Sequence, residues 1–230
     1  MPSDITLSDI VAILLFLLSW YSISWLSGHF YSKNRTSLYT VSKSVRNQWM
    51  VNLLLRDNRI SDVALLGHLM RSASFFASTS LLVLASFITV FGVIDDAIKV
   101  TYDIPFALHV SASFWKLKLL LMVIIYIFVF FKLVWSIRQY NSTVIMIGAA
   151  PSVFDSDEEL YYYANSLGIV LNRASRHFVD GMRGFEFSLA ALAWFIHPVA
   201  FIIATITVLM VTYRREFASR TLHAMDDKHQ

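Results

Sequence analysis

The chain has 230 residues, of which 57% are hydrophobic, 15% aromatic and 15% charged, with no cysteine, a net charge of +3 and a mean hydropathy of +0.58. Because water-soluble domains are about one-quarter charged, this composition and its long apolar runs indicate lipid as the solvent. A sequence without cysteine excludes disulfide scaffolds and thiolate metal or redox sites. Most Lys and Arg residues flank apolar runs, so nucleic acid is not expected as a partner.

Four apolar segments are long enough to cross a bilayer, which takes about 20 residues. They are residues 10–28, 72–94, 119–137 and 187–213. The first has no preceding basic residue and no A-x-A-like end, so we expect a retained anchor rather than a cleaved signal peptide. Pro198 lies near the middle of the fourth segment, where its missing backbone donor predicts a bend.

The connecting regions predict two amphipathic helices, at residues 41–70 and 156–180. The first is interrupted by the polar residues 56–59, after which Ser61-Asp62 can cap a helix that continues into the second span. The second begins with a capping-box pattern, Ser156-Asp157-Glu158-Glu159. We expect both helices to lie on the cytoplasmic membrane surface, with a docking face for a partner as the alternative.

Two further connections complete the pattern along the chain. Gly181 and Gly184 predict an interruption before the fourth span. Residues 95–115, with Pro105 and mixed charges, predict a compact loop on the opposite side of the membrane from the amphipathic helices.

The distribution of Lys and Arg predicts the orientation, since cytoplasmic loops retain these residues. With four crossings, residues 31–71 and 132–184 share one side and carry twelve of them, against seven in the remaining loop and the tail. We therefore expect both termini to lie outside the cytoplasm. Arg214 and Arg215 in the tail argue against this orientation.

Three runs of sequence are distinctive: residues 75–79 (FFAST), 131–141 (FKLVWSIRQYN) and 147–151 (IGAAP). Further landmarks are residues 176–178, Gly181 with Arg183, residues 194–198 and residues 213–217. Together they resemble a family of bacterial membrane proteins catalogued as domain of unknown function five-nine-nine, with distant relatives in land plants. The resemblance implies about four membrane helices and a bacterial inner-membrane location. It lends no established activity, so it carries over no functional residue, and Glu186 stands where the family pattern has an aromatic residue.

The sequence lacks the motifs of phosphate-binding loops, zincins, dinucleotide folds and nucleophile elbows, so we expect no catalytic residues and no cofactor. The alternative is haem or quinone. His29 and His68 are the candidate haem ligands, because they are matched in depth on two predicted spans, although interfacial histidines more often bind carbonyls or headgroups. His197 is placed about 15 Å deep, beside the predicted bend, where a proton or quinone contact is the alternative to a kink.

Other polar residues predict contacts near the inner ends of the spans. Lys132 and Glu186 are expected either to form an ion pair that fixes helix register or to reach the headgroups independently. Small residues on both sides of Ala77 predict close packing of the second span inside the bundle, or a homodimer seam. Candidate contacts to headgroups or an acidic partner are Arg138, Asn141, Arg176 and His177; the alternative for Arg138 is bonding to helix C-terminal carbonyls.

These observations favour a non-catalytic integral membrane protein, an accessory or scaffold subunit that contacts the lipid bilayer and other integral membrane subunits or a second copy of itself. A small redox protein holding haem or quinone is the first alternative. An oligomeric transporter or channel is the second, because one protomer has few helices to line a path.

Overall fold

The computed structural model describes residues 5–29, 37–102, 108 and 110–226, and almost all of that part is helical. This confirms the predicted all-helical class. The elements are α1 (Leu7–His29), α2 (Leu38–Leu54), α3 (Ile60–Gly92), α4 (Ile94–Tyr102), α5 (Ala112–Ala149), α6 (Asp157–Leu192), a 3₁₀ turn (Ala193–Phe195), α7 (Pro198–Phe217) and α8 (Arg220–Asp226).

Four stretches are long and apolar enough to cross a membrane, as predicted: Leu7–Leu26, Ile60–Gly92, Ala112–Ala149 and Pro198–Met225. Two of the helices are much longer than the predicted spans. At 1.5 Å per residue, the 33 residues of α3 and the 38 residues of α5 extend about 50 and 57 Å. The hydrocarbon core of a bilayer is about 30 Å thick, so both helices continue beyond it.

Helix α6 is continuous over 36 residues and runs antiparallel to α5 along its whole length. At one end Lys118 Nζ donates to Trp194 O at 2.7 Å, and at the other the Tyr163 hydroxyl donates to Met146 O at 2.7 Å. Residues 156–180 therefore pack lengthwise against α5, and their location at the membrane surface stays a prediction.

The predicted interruption at Gly181 and Gly184 is wrong, because both lie inside α6 and are buried against α5. A Cβ atom on Gly181 would lie 2.9 Å from Leu133 Cγ, and one on Gly184 would lie 2.3 Å from Val129 Cγ2. The two glycines therefore allow the helices to approach more closely than any side chain would permit. On α3, Ala73 and Ala77 are likewise buried, as predicted for packing inside the bundle.

The predicted bend at Pro198 is wrong too, because the chain reverses direction at residues 193–197. His197 is the N-cap of α7, its Nδ1 accepts from Val199 N at 3.1 Å, and Pro198 is the first helical residue. Proline is favoured there because its missing N–H would otherwise be unsatisfied. Helices α6 and α7 are antiparallel, because Glu186 pairs with Arg215, whereas the earlier Arg183 on α6 pairs with the later Glu216 on α7.

The two ends of the bundle are defined by side-chain contacts. At the Trp194 end, Trp194 Nε1 donates to Asp9 Oδ1 at 2.8 Å, which joins the first turn of α1 to the α6–α7 reversal. At the Glu216 end, Tyr39 N donates to Glu216 Oε1 at 3.1 Å, which joins the start of α2 to the end of α7. The first turn of α1 and the end of α7 therefore lie at opposite ends of the bundle.

A second helical layer, the distal bundle, extends past the Glu216 end. It consists of α2, the first turns of α3, the last turns of α5 and the first half of α6. Its apolar core contains Met50, Leu53, Leu54, Leu66, Tyr140, Ile147, Leu160, Ala164, Leu167, Leu171 and Ala174. This core is separate from the aromatic core among α1, α5, α6 and α7, which contains Phe16, Tyr126, Phe187, Trp194 and Phe201.

Local capping explains where the helices of the distal bundle begin. The predicted box at α6 is confirmed, since Ser156 Oγ accepts from Glu159 N at 3.2 Å. The predicted Ser61-Asp62 cap is wrong, because α3 already begins at Ile60, whose N–H donates to Asn58 Oδ1 at 2.9 Å. Where a loop was expected over residues 95–115, helix α4 forms; residues 103–107 and 109 lie outside the described part.

Candidate functional site

A row of charged side chains spaced three residues apart follows α6 toward the Trp194 end. Each of the three has a partner on a neighbouring helix. The pairs are Asp180 with Lys132 at 2.8 Å, Arg183 with Glu216 at 3.0 Å, and Glu186 with Arg215 at 2.8 Å. The row therefore ties α6 to both α5 and α7.

The predicted pair between Lys132 and Glu186 is wrong. Asp180 faces α5, and Glu186 lies six residues later, about 240° around the helix axis, where it faces α7 instead. There Glu186 also accepts a hydrogen bond from Thr212 Oγ1 at 3.0 Å. Both residues make polar contacts, as the sequence predicted, but with different partners.

The pair of Arg183 and Glu216 is the most buried of the three, with side chains 5% and 11% exposed. Glu216 also accepts the backbone N–H of Tyr39, so one carboxylate joins α6, α7 and α2. A buried pair of this kind contributes little net stability, but removing one partner strands the other charge. Its effect is to fix the register of the three helices.

A polar cluster closes the Trp194 end of the bundle and was not predicted. Asp9 and Lys118 are both 2% exposed, and each is hydrogen-bonded to Trp194, one to the indole and the other to the backbone. The Lys118 ammonium also lies 4.8 Å from the ring centre of Phe114. These contacts hold the starts of α1 and α5 against the α6–α7 reversal.

A cavity of about 310 Å³ lies between α2 and α6 at the Glu216 end. We call it the basic pocket; it is lined by Tyr39, Lys43, Asn47, Asn165, Ile169, Asn172, Arg173 and Arg176. Three of these residues are cationic and none is acidic. A fourth cation, Arg46, lies beside the pocket and donates from Nε to Asn172 Oδ1 at 2.7 Å.

Ring contacts and hydrogen bonds hold the side chains at the floor of the basic pocket. The guanidinium groups of Arg46 and Arg176 lie 5.7 and 5.6 Å from the ring centre of Tyr39. Asn172, which is 6% exposed, donates from Nδ2 to Asn47 Oδ1 at 2.7 Å. Arg176 Nη2 also donates to Ser24 O at 3.4 Å, which joins the pocket to α1.

Arg46 is the least satisfied cation of the described residues around the pocket. Its Nη2 atom is buried and has no hydrogen-bond partner among them. Burial lowers the pKa of the Arg46 guanidinium from its ordinary value, because the charged form loses hydration. A buried donor without an acceptor is costly unless water or a ligand supplies one.

The predicted histidine sites are dispersed. The His68 side chain is exposed on α3, and the side chain of His29 lies outside the described residues, so the proposed haem pair is not described. His197 lies at the Trp194 end as a helix cap rather than deep in the bundle. His177 is half-buried on α6, with its buried Nδ1 making no hydrogen bond to any described residue.

The other predicted surface contacts lie on α5. Arg138 and Asn141 are exposed, and the Arg138 guanidinium lies 5.3 Å from the ring centre of Trp135. Because α5 continues to Ala149, no terminal carbonyls are available near Arg138. Of the four residues predicted to contact headgroups or a partner, Arg176 alone lines the basic pocket. In the part of the chain that is described, no group of three or more metal-ligating side chains is found.

Sequence reasoning missed Lys43, Arg46 and Arg173, because the two walls of the pocket are about half the chain apart. The distribution of acidic residues in the sequence nevertheless points to the pocket. Residues 10–56 contain no Asp or Glu, and neither do residues 160–179, so both facing segments carry cations alone.

The fold and the site define a class: an all-helical protein with four helices able to cross a membrane and a basic pocket at one end of its bundle. The chain belongs to the family described as "Protein of unknown function, DUF599", whose model matches residues 11–221. This confirms the resemblance found in the sequence. No curated protein and no solved structure matches the chain.

Proposed function

We propose that the chain is a non-catalytic integral membrane protein of the bacterial inner membrane, an accessory or scaffold subunit that docks other membrane subunits through α3. The observation that carries this proposal is the exposure of α3. Its buried residues are only Asp62, Leu66, Ala73, Ala77 and Ser80, and it packs mainly against α5. The rest of a helix about 50 Å long is left for lipid or a partner.

Lipid can cover the membrane-spanning part of this exposed face but not its distal part. Residues 60–71 of α3 belong to the distal bundle, past the predicted span, and there Ile60 and Leu65 are 75% and 53% exposed. Leu55 in the preceding turn is 65% exposed, and Ile145 on α5 is 70% exposed. Exposed apolar side chains outside a bilayer are typical of protein–protein contact surfaces. A partner that lies along α3 would cover both its membrane and its distal portion.

The helix order supports five crossings rather than four. Helix α5 runs toward the Glu216 end, and α7 starts again at the Trp194 end, so the chain must return between them. The second half of α6 makes that return. Its charged residues make this half of α6 too polar to be recognised as a membrane span from composition alone. Asp180, Arg183 and Glu186 are each paired, however, which is the arrangement expected of ionisable groups inside membranes.

Five crossings also resolve the conflict in the charge distribution. Thirteen of the described Lys and Arg residues lie in the Glu216 half or the distal bundle, and three lie at the Trp194 end: Lys99, Lys116 and Lys118. Since cytoplasmic segments retain Lys and Arg, we infer that the distal bundle and the C-terminal segment are cytoplasmic. Arg214 and Arg215 then lie on the expected side.

Site-specific photo-crosslinking tests the docking proposal. A photoreactive amino acid replaces Leu65 or Leu82 on α3, or, as the matched control, Tyr162 on α6; these side chains are 53%, 71% and 75% exposed. We expect one discrete protein adduct from both α3 positions and none from Tyr162, in native membranes. A chain that crosslinks to no protein from α3 and is extracted by mild detergent as a lone monomer would contradict the proposal.

A further inference from the structure

We propose that the basic pocket binds a phosphate group, carried either by an anionic lipid headgroup or by a small soluble phosphate. The pocket lies between α2 and α6. Lys43, Arg173 and Arg176 line it and Arg46 lies beside it, without any acidic lining residue. None of these four cations forms an ion pair with a described residue.

The missing negative charge is not supplied by adjacent sequence. No Asp or Glu occurs in residues 10–56 or 160–179, which include both walls of the pocket and the segment leading into α2. Elsewhere in the described bundle the cations Lys132, Arg183 and Arg215 each have a carboxylate partner. Among the described residues, the cations of the pocket therefore have no carboxylate partner, which leaves them available to an anionic ligand.

The chemistry of the donors fits phosphate. Guanidinium groups present paired N–H donors that match phosphate oxygens, and lysine adds a point charge. Arg176 is held in place by the Tyr39 ring and by Ser24 O, so part of its side chain is ordered before a ligand binds. Arg46 Nη2 remains a buried donor in need of an acceptor.

The depth of the pocket fits a membrane surface. Ser136 Oγ donates to Ala174 O at 2.8 Å, so the part of α6 that lines the pocket is level with Ser136 on α5. Ser136 is 24 residues after the start of α5, about 36 Å along the axis. Since the hydrocarbon core is about 30 Å thick, a core that begins level with the start of α5 would end before Ser136, and the pocket would then open at headgroup level. Basic pockets between membrane helices on the cytoplasmic side bind such headgroups.

The pocket differs from Lys and Arg residues whose only role is to orient the chain in the membrane. Topology requires Lys and Arg near the ends of spans, but it requires neither burial nor convergence. Here Arg46 is largely withdrawn from solvent, and Asn47 meets Asn172 directly across the helix interface. The close approach is made possible by Gly168, where a Cβ atom would lie 2.6 Å from Asn47 Oδ1.

The test is a ligand titration of the full-length chain in a neutral detergent at low ionic strength, read as the shift of its thermal unfolding midpoint. The probes are phosphatidylglycerol, phosphatidylcholine and inorganic phosphate. The test variant is Arg173→Gln, because Arg173 is exposed and its loss does not disturb the core. The control is Arg71→Gln, an exposed cation on α3 at a similar level of the bundle but not lining the pocket.

We expect phosphatidylglycerol to raise the unfolding midpoint of the wild type and phosphatidylcholine to leave it unchanged. Arg173→Gln should weaken the response to phosphatidylglycerol about tenfold, since one charge-assisted contact is lost, whereas Arg71→Gln should respond as the wild type does. A response to inorganic phosphate with the same dependence on Arg173 would identify a soluble phosphate as the source. A lipid response without a phosphate response would identify the headgroup.

Two results would overturn the proposal. One is a wild-type chain that responds equally to phosphatidylglycerol and phosphatidylcholine and not at all to inorganic phosphate. The other is an equal loss of response in Arg173→Gln and Arg71→Gln, which would show that net charge rather than the pocket attracts the anion.

Discussion

Replacing Gly184 with alanine tests the close contact between α5 and α6. The new Cβ atom would lie 2.3 Å from Val129 Cγ2 and 3.6 Å from Trp20 Cζ2. Val129 is fully buried, and a β-branched side chain in a helix has one strongly preferred rotamer, so its methyl group cannot turn aside cheaply. The ion pair between Asp180 and Lys132 of α5, one turn before Gly184, opposes separation of the two helices.

Overpacking of this kind costs about 1–3 kcal/mol, and the very short contact favours the upper part of that range. The matched control is Gly67→Ala on α3, where the nearest atom to a new Cβ is the flexible end of Arg71 at 3.9 Å. Alanine in an uncrowded helix interior is favoured over glycine by about 0.5–1 kcal/mol. Reversible unfolding in detergent, followed by circular dichroism, should therefore show shifts of opposite sign.

A double variant isolates the contact between residues 184 and 129. Val129→Ala removes Cγ2 and leaves Val129 Cβ, which is 3.7 Å from the position of the new Cβ on residue 184, an ordinary contact. Gly184→Ala combined with Val129→Ala should thus be more stable than the sum of the two single changes predicts, by about 1 kcal/mol or more. A Gly184→Ala variant as stable as the wild type, or a strictly additive double variant, would refute the predicted α5–α6 contact.

Three further predictions concern other contacts, all measured as detergent unfolding midpoints. Glu216→Gln removes the carboxylate of the buried ion pair with Arg183 and should destabilise the fold by about 3–5 kcal/mol, whereas Asp96→Asn, at an exposed pair on α4, should leave the midpoint unchanged. Trp49→Phe removes the 2.7 Å hydrogen bond to the buried Asp62 and should cost about 1–3 kcal/mol; equal stability would show that Arg56 alone satisfies Asp62. His197→Ala removes the cap of α7 and should cost about 0.5–2 kcal/mol. The control His68→Ala, at an exposed position, should leave the midpoint unchanged; equal shifts in the two variants would argue against the cap.

Local sequence patterns were sufficient for most of the helices. The apolar runs predicted the membrane segments of α1, α3 and α5, and Ser156 with Glu159 predicted the start of α6. These features depend on residues a few positions apart, so periodicity and capping chemistry report them directly.

The role of α6 could not be predicted, because its apolar face is interrupted by Asp180, Arg183 and Glu186. The residues that pair with them lie 48, 33 and 29 positions away, and only the folded structure brings them together. The reversal at His197-Pro198 was missed for a related reason, since proline favours either a bend or a helix start and sequence does not choose between them. The basic pocket joins Arg46 to Asn172, 126 positions apart.

The number of crossings is tested most directly by single-cysteine labelling, for which a sequence without cysteine is an ideal background. Cysteine replaces Ser8 near the start of α1, Val153 between α5 and α6, or Thr221 on α8; all three positions are exposed. A membrane-impermeant maleimide is applied to sealed vesicles of one orientation. Five crossings predict that Val153→Cys and Thr221→Cys react from the same side and Ser8→Cys from the other, whereas labelling of Thr221→Cys from the Ser8 side would contradict passage of α6 through the membrane.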